Sequence, residues 1–467
     1  MRIVISIILF LCFSVLTAQN KQLLYNVSAL PQTLMSNPGA NINFDGHIGI
    51  PFLSQISFAV GSSGVDMHDI FKTSSNGINS RITNTIQRLT NQDYFMVNEQ
   101  IEILSLGWRI NKDNYLSAGV YQETDLFAYF PKDPMVLINE GNNDYLNVPF
   151  KFEDVSFTGE VLTVYHLGWN KRMDNKLTLG ARLKLYSGIF NVESTDNSGT
   201  FTTRETPEGL NYYRHFASGI DIRVNTSGYA SLKDDSKTVQ EASKEILKRS
   251  FFGGNVGAGI DLGATYKIDQ NFVVTGAIQD FGLMYQREDV ENYLYYGTYE
   301  TSGIEPLFPE VAPGGKAIPY WDIFEDEVDA NLKDETIQES YITWRPLKIN
   351  TSLQYGFGET VGPCNYLRPL KRRFENIFGI QLFGVKRPRG LKYAFTMFYD
   401  RKFTPDLRMK ITYTLDDFSY ANVGLMVSKK INNFNLYLAA DNLFGYINLA
   451  RSQHQALQMG LQFIFIK

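Results

Sequence analysis

The chain has 467 residues, with 44 Lys and Arg against 49 Asp and Glu, a formal charge of −5. That mildly acidic balance argues against nucleic acid as a partner. The length would suit several soluble domains, yet no linker, low-complexity tract or tandem repeat divides the chain, which reads as one unit rich in Phe, Tyr and Gly.

Met1-Arg2 is a short positive start, residues 3–16 are apolar, and Leu16-Thr17-Ala18 precedes Gln19. This pattern predicts a signal peptide, residues 1–18, too short for a spanning helix of about 20 residues. Leu11 before Cys12 is not the small residue that lipidation wants. Cleavage leaves Cys364 as the only thiol, so no internal disulfide framework is expected. No later apolar run is long enough for a helical span.

Residues 19–44 are polar and interrupted by Pro31 and Pro38, and Ser36-Asn37-Pro38-Gly39 signals a turn just before the first strand, 47–60. An insert follows at 62–99, with a helical piece near 70–89, placed either in an extracellular loop or in the lumen of a barrel. Regular alternation begins at 101–110, where Leu104, Leu106, Trp108 and Ile110 share one face, and Ser105, Gly107 and Arg109 the other. Strands 115–130, 155–169 and 177–192 follow. In the last, Leu177, Leu179, Ala181, Leu183 and Leu185 oppose Thr178, Gly180, Arg182, Lys184 and Tyr186. The division recurs at 256–268, with Asp261 and Lys267 on the polar face, and at 407–415, with Arg408, Lys410, Thr412 and Thr414. The terminal strand, 455–467, puts Leu457, Met459, Leu461, Phe463 and Phe465 opposite Gln458, Gly460 and Gln462. Segments this long exceed the usual sandwich strand of about five or six residues and suit a membrane-crossing barrel strand. An edge strand of a soluble sandwich is the competing account of any one such segment.

Connections point the same way. Tight turns at 111–114, 173–176, 269–271, 403–406 and 430–433 are interspersed with excursions at 62–99, 131–153, 288–340 and 441–454, the short-turn, long-loop asymmetry of outer-membrane barrels. Between Phe190 and Gly253 either residues 200–205 add a strand or one hairpin lies wholly outside the membrane. The candidates number fifteen or sixteen, and two termini on the periplasmic side require an even count.

Three features resemble known families. The amphipathic terminal strand with its near-terminal aromatic resembles the closing strand of outer-membrane barrels. Asn37-Pro38 shortly before the first strand resembles the start of the long-chain fatty-acid transporter (FadL) family and of the related PorV-like barrels of type IX secretion. Gly39 stands where that family has alanine, and the preceding segment is shorter. The phrases Gly259-Ile260-Asp261-Leu262-Gly263-Ala264-Thr265-Tyr266, Ile278-Gln279-Asp280-Phe281-Gly282 and Ala440-Asp441-Asn442-Leu443-Phe444 resemble an uncharacterised outer-membrane family near these. Read from the residues alone, Gly, Asp and Asn at these places are strand-bend and strand-end hardware. The resemblance implies fourteen strands and an N-terminal segment folded into the lumen, with Asn37, Pro38 and Gly39 as plug or gate positions.

The expected fold is therefore all-β: a transmembrane antiparallel β-barrel of about 14 strands, or 16, with a short plug-like segment at 19–45, the barrel at 46–467, and helical loop insertions. Arg109, Arg182, Lys184, Asp261, Lys267, Arg408 and Lys410 are the expected lumen-facing charges, with Asp261 and Lys267 in one internal network.

Catalysis finds no motif. His47, His68, His166, His215 and His454 are scattered, without His-Glu-x-x-His spacing, and no nucleophile elbow or phosphate loop occurs. The acidic stretch 322–339 lacks the spacing of a calcium loop and reads as a solvated surface helix. Residues 237–249 read as a helix striped by Val239, Ala242, Ile246 and Leu247, covering its own barrel rim or docking to a partner or the membrane surface. The basic loop 357–374 is expected at the periplasmic end, against headgroups or a periplasmic partner. No enzyme activity, cofactor or metal is expected. The resemblance implies outer-membrane lipid as surroundings and passive uptake or binding of a hydrophobic small molecule. The alternative is an accessory subunit of an envelope machine for secretion, gliding or barrel assembly, with protein partners.

Overall fold

The structure is a computed structural model that describes residues 22–73, 77–205, 213–233, 238–301, 327–359, 374–420 and 422–466. The expected signal peptide, Cys364 and most of the basic loop 357–374 lie outside the described residues.

In chain order the strands begin with β1 (Gly46–Gly49), β2 (Ile56–Ser62), β3 (Tyr94–Arg109), β4 (Asn114–Tyr129), β5 (Phe150–Lys151), β6 (Phe157–Arg172) and β7 (Leu177–Ser194). Next come β8 (Ser198–Glu205), β9 (Tyr213–Ser227), β10 (Asn255–Lys267), β11 (Phe272–Gln286), β12 (Asn292–Thr301), β13 (Leu332–Ile337) and β14 (Tyr341–Trp344). The last are β15 (Lys348–Glu359), β16 (Phe374–Arg387), β17 (Gly390–Lys402), β18 (Leu407–Leu415), β19 (Asn422–Ile431), β20 (Phe434–Asp441) and β21 (His454–Phe465).

Sixteen of these close into a 14-strand antiparallel barrel, because β1 with β2, and β14 with β15, each act as one broken stave. The first and last staves pair directly, Ile48 opposite Phe463 and Phe58 opposite Leu457. Closure gives every stave two neighbours and leaves no edge, the condition for strands to cross a lipid bilayer. The wall follows the alternation: Leu104, Leu106, Trp108, Leu183, Leu185 and Leu438 are exposed on the outside, while Gln100, Ser105, Arg182, Lys184 and Gln458 are buried inside.

Register slips re-aim side chains at chosen points. Ile260 pairs with Phe281 and Leu262 with Ile278, so Asp261 faces both Gln279 and Asp280. Asp280 takes a positive φ of 59° in this bulge, and its N–H donates to the Asp261 carboxylate at 2.8 Å. The break between β14 and β15 falls at Pro346, which has no N–H to give a ladder. It rephases the stave so that Arg345 and Lys348 are both buried on the lumen side. The first stave breaks between Gly49 and Ile56, with Phe52 at φ 62° and Phe52 and Leu53 exposed on the outside.

The five strands outside the barrel form a second sheet in the order β5-β8-β9-β12-β13. It stands on the rim, where Asn191 to Glu193 of β7 pair with Asn225 to Ser227 of β9. Residues 200–205 are thus a strand, and the hairpin they open lies outside the wall. The acidic stretch divides: residues 322–326 lie outside the described residues, 327–331 are an exposed helical turn, and Leu332–Ile337 is not helix but an edge strand on β12. The insert after β2 forms the helices Met67–Phe71 and Ile78–Arg88 above the rim, and β3 begins at Tyr94, earlier than its alternation suggested. One hairpin reverses the loop asymmetry: β16 and β17 join on the long-loop side through Pro388 and Arg389 alone.

Candidate functional site

The lumen is filled from below by residues 22–45. Leu23, Leu24, Val27 and Leu30 pack with Met426, Tyr437 and Ala439, and Leu34, Ala40 and Phe44 with Tyr115 and Ile464. The segment's polar atoms reach staves on all sides. Tyr25 Oη shares a hydrogen bond with Thr275 at 2.9 Å, Asn26 donates to Ser352 at 2.6 Å, and Gln32 donates to Gln462 at 2.6 Å. Asn170 of β6 donates to the carbonyls of Pro38 and Ala40 at 2.7 and 2.9 Å. Gln32 also donates to Ser54 O at 2.9 Å, which covers the first-stave break from within.

Asn37-Pro38-Gly39 lies against Gly180 of β7 and Gly263 of β10. The Asn37 side chain accepts from the Gly39 N–H at 2.9 Å and donates to Ala264 O at 3.4 Å. A Cβ on Gly180 would collide with the Pro38 carbonyl, one on Gly263 with the Asn37 side chain, and one on Gly39 with the Gly263 carbonyl. Three glycines therefore let two backbones touch. Outside the same patch, Ala181, Ala264 and Gly276 leave an apolar recess of about 800 Å³ among Trp169, Leu179, Leu262 and Ile278.

The expected lumen charges separate into groups. Arg182 and Lys184 share Asp261 at 3.3 and 2.9 Å; Lys184 reaches Asp280 at 2.5 Å, Lys348 bridges Asp280 and Glu123 at 2.8 and 3.2 Å, and Arg345 links Glu123, at 3.0 Å, to Glu160. Four cations and four carboxylates alternate in one buried chain across the lumen. Arg182 also donates to the Leu34 and Met35 carbonyls, tying this chain to the inserted segment. Lys410, fully buried, donates to Gln22 O at 3.2 Å and Tyr25 O at 2.8 Å and lies 4.4 Å from the Phe398 ring centroid. Arg408 pairs with Asp400 at 2.6 Å, and Arg109 with Asp45 at 2.8 Å, where the inserted segment enters the first stave. Lys267 is not in the network. It lies exposed at the tight-turn end of β10, because six residues of extended chain separate it from Asp261. Glu123, Asp125, Glu160, Arg345, Lys348 and Arg387 were missed at the sequence level. Glu123 and Asp125 share the polar face with Tyr121, a signal that alternation carries, whereas Arg345 and Lys348 share a face only because of the Pro346 break.

The space left among these groups is about 40 Å³, bordered by Gln32, Gln100, Glu123, Lys184, Asp280 and Lys348. It has room for about one water and none for an organic solute. The outer sheet is different. Phe152, Phe201, Ala217, Ile220, Tyr295 and Leu332 line an open apolar pocket of about 430 Å³, within the range of small-molecule pockets. His215 stands at its polar end: its Nδ1 meets Thr203 Oγ1 at 2.9 Å and Asn142 Nδ2 at 3.2 Å, and its ring lies parallel to Phe201 at 5.9 Å. Burial holds its pKa below the ordinary 6.5, so the ring is neutral and accepts from Asn142.

The remaining histidines do not converge. His47 bonds Tyr115 at 2.5 Å, His454 stacks on Phe418 at 4.9 Å, and His166 is buried beside Tyr121. Asp66, His68 and Asp69 bring ligand atoms within 4.8 Å of one another, but Asp66 caps the helix Met67–Phe71 and Asp69 is engaged by Arg88 and Lys72.

Residues 38–441 match the model of a family of unknown function (DUF5723). The chain belongs to that family. Among curated proteins none matches. Solved structures similar to this DUF5723 chain include the Pseudomonas putida toluene transporter TodX, at 10% identity and a TM-score of 0.39, covering 96% of this chain and 98% of that one. The Ralstonia pickettii toluene transporter TbuX is similar at 10% identity and a TM-score of 0.39, over 97% and 100% of the two chains. A Pseudomonas aeruginosa FadL homologue is similar at 10% identity and a TM-score of 0.44, with the same coverage.

Proposed function

We propose that this protein sits in the outer membrane of a Gram-negative bacterium and binds a hydrophobic small molecule at its extracellular face, as the first step of passive uptake. The observation that carries this reading is the open apolar pocket of about 430 Å³ in the outer sheet. Its lining would gain roughly 25 cal/mol for each Å² of apolar ligand surface taken out of water. Its one polar end, His215 with Asn142 and Thr203, would orient a ligand carrying a single polar group. Residues 22–45 are then the closed state of the gate, with Asn37, Pro38 and Gly39 as its contact with the wall. Passage requires that segment to move, because only about 40 Å³ is left beside it among the charged groups of the lumen. The accessory-subunit reading has no separate observation in its favour.

The test is fluorescence titration of the detergent-solubilised protein with 1-aminoanthracene, followed by displacement with alkanes, fatty acids and monoaromatics. Saturable binding is expected, weakened at least tenfold by Ala217→Trp, which fills the cavity, with the heat-modifiable gel mobility of the folded barrel unchanged. Equal binding in that variant, or none in the native protein, would remove the reading.

A further inference from the structure

The helix Val239–Ser250 is built to stay folded without burying its apolar stripe. Thr238 caps it: the Thr238 N–H donates to Glu241 at 2.8 Å, and the Glu241 N–H donates to Thr238 Oγ1 at 3.3 Å. The expectation that the stripe covers the barrel's own rim does not hold. Val239 is 83% exposed, Leu247 60% and Phe251 67%, and the helix's one buried residue is Arg249.

Arg249 fixes where the helix lies. Its guanidinium donates to Gly228 O at 2.7 Å, Ser231 Oγ at 2.5 Å and Asp289 at 2.8 Å, and its carbonyl accepts from Ser187 Oγ. Ser187 continues the outward row Leu179, Ala181, Leu183, Leu185, so the helix end rests on the outside of the wall. Tyr165 confirms the face: its hydroxyl donates to Ser250 O at 2.7 Å, and its ring stacks on Phe252 at 4.7 Å. On the same wall Leu167, Leu183 and Leu185 are exposed and belong to the lipid-facing band. At 100° per residue, Val239, Ala242, Ile246 and Leu247 fall within one arc, Arg249 at its edge, and Lys244 and Lys248 on the opposite face.

We infer that this helix is an in-plane anchor in the outer leaflet, its stripe immersed in lipid acyl chains and Lys244 and Lys248 at the level of the lipid phosphates. Continuity with the lipid-facing wall through Tyr165 and Phe252 selects lipid over a protein partner. An amphipathic helix with an apolar stripe and a lysine-bearing polar face is the form that lies in a membrane interface. The anchor also tethers the outer sheet, since Arg249 and Ser231 converge on Asp289, which precedes β12.

Spin labels test this in the full-length protein, with Cys12 and Cys364 replaced by serine, reconstituted in vesicles of phosphatidylethanolamine and phosphatidylglycerol. Leu247→Cys is compared with Leu183→Cys on the wall and Lys244→Cys on the polar face of the helix. The expected result is that the label at 247 collides with oxygen in preference to a water-soluble nickel complex as strongly as the label at 183, several-fold above that at 244. Adding Arg249→Ala should move the 247 label toward the behaviour of 244. A 247 label as open to nickel as 244 would overturn the inference, as would one shielded from both reagents, the signature of a covering protein. Gel mobility reports folding of each variant, and none of these positions lines the proposed ligand cavity.

Discussion

The barrel interior and the outer sheet answer the same problem in opposite ways. The lumen is lined by side chains that alternation made polar, and residues 22–45 and a chain of ion pairs fill it, leaving about 40 Å³ among the charged groups. The outer sheet is watered on its outside and turns Ile220, Leu332 and Tyr299 inward around about 430 Å³. Packing in the lumen is largely polar, held by ion pairs and hydrogen bonds between the inserted segment and the staves. Packing in the sheet is apolar and incomplete, which leaves room for a ligand.

The largest expected effect breaks the lumen. Asp261→Ala removes the shared partner of Arg182 and Lys184 and the acceptor for the Asp280 N–H. Loss of one partner from a buried ion pair costs about 3–5 kcal/mol, so the urea midpoint for loss of heat-modifiable mobility should fall sharply, while the cavity variant Ala217→Trp leaves it in place. Deleting residues 22–45 separates filling from folding: the closed barrel should still form, and planar-bilayer recordings should change from no resolved conductance to a stable pore.

A smaller effect comes from pH and belongs to the outer sheet alone. Burial lowers the His215 pKa, so the neutral ring's contribution is present above its ordinary value of 6.5 and is lost as pH falls through the lower folded value. Hydrophobic-probe affinity should be flat from pH 8 to 6.5 and fall only below that, as pH drops through the lowered folded value, and His215→Phe should abolish that fall. Asn37→Ala should cost about 1 kcal/mol through its two hydrogen bonds to Gly39 and Ala264, read as a small drop in the urea midpoint. Lys267→Ala, exposed at the rim, should stay within about 0.5 kcal/mol of the native protein, a contrast with Asp261 that tests their separation directly.

Much of the lumen was legible because a strand's period of two writes inside and outside into the sequence. Arg182, Lys184, Asp261 and Lys410 are all where alternation put them. Depth along the strand was not legible, which is why Lys267 shares a face with Asp261 but no contact. Breaks and bulges were not legible either: Asp280 reaches Lys184 only through its bulge, and Arg345 and Lys348 face the same way only after Pro346.

The sequence by itself determined that the chain alternates over spans long enough to cross a membrane and carries one polar face, since local backbone geometry alone sets which way each side chain points. Only the tertiary structure decided which charges meet, that residues 22–45 fill the lumen, that residues 332–337 are a strand, and that the stripe of Val239 and Leu247 faces outward beside the wall. Those outcomes depend on register, on closure and on contacts between residues hundreds of positions apart, none of which a local pattern encodes.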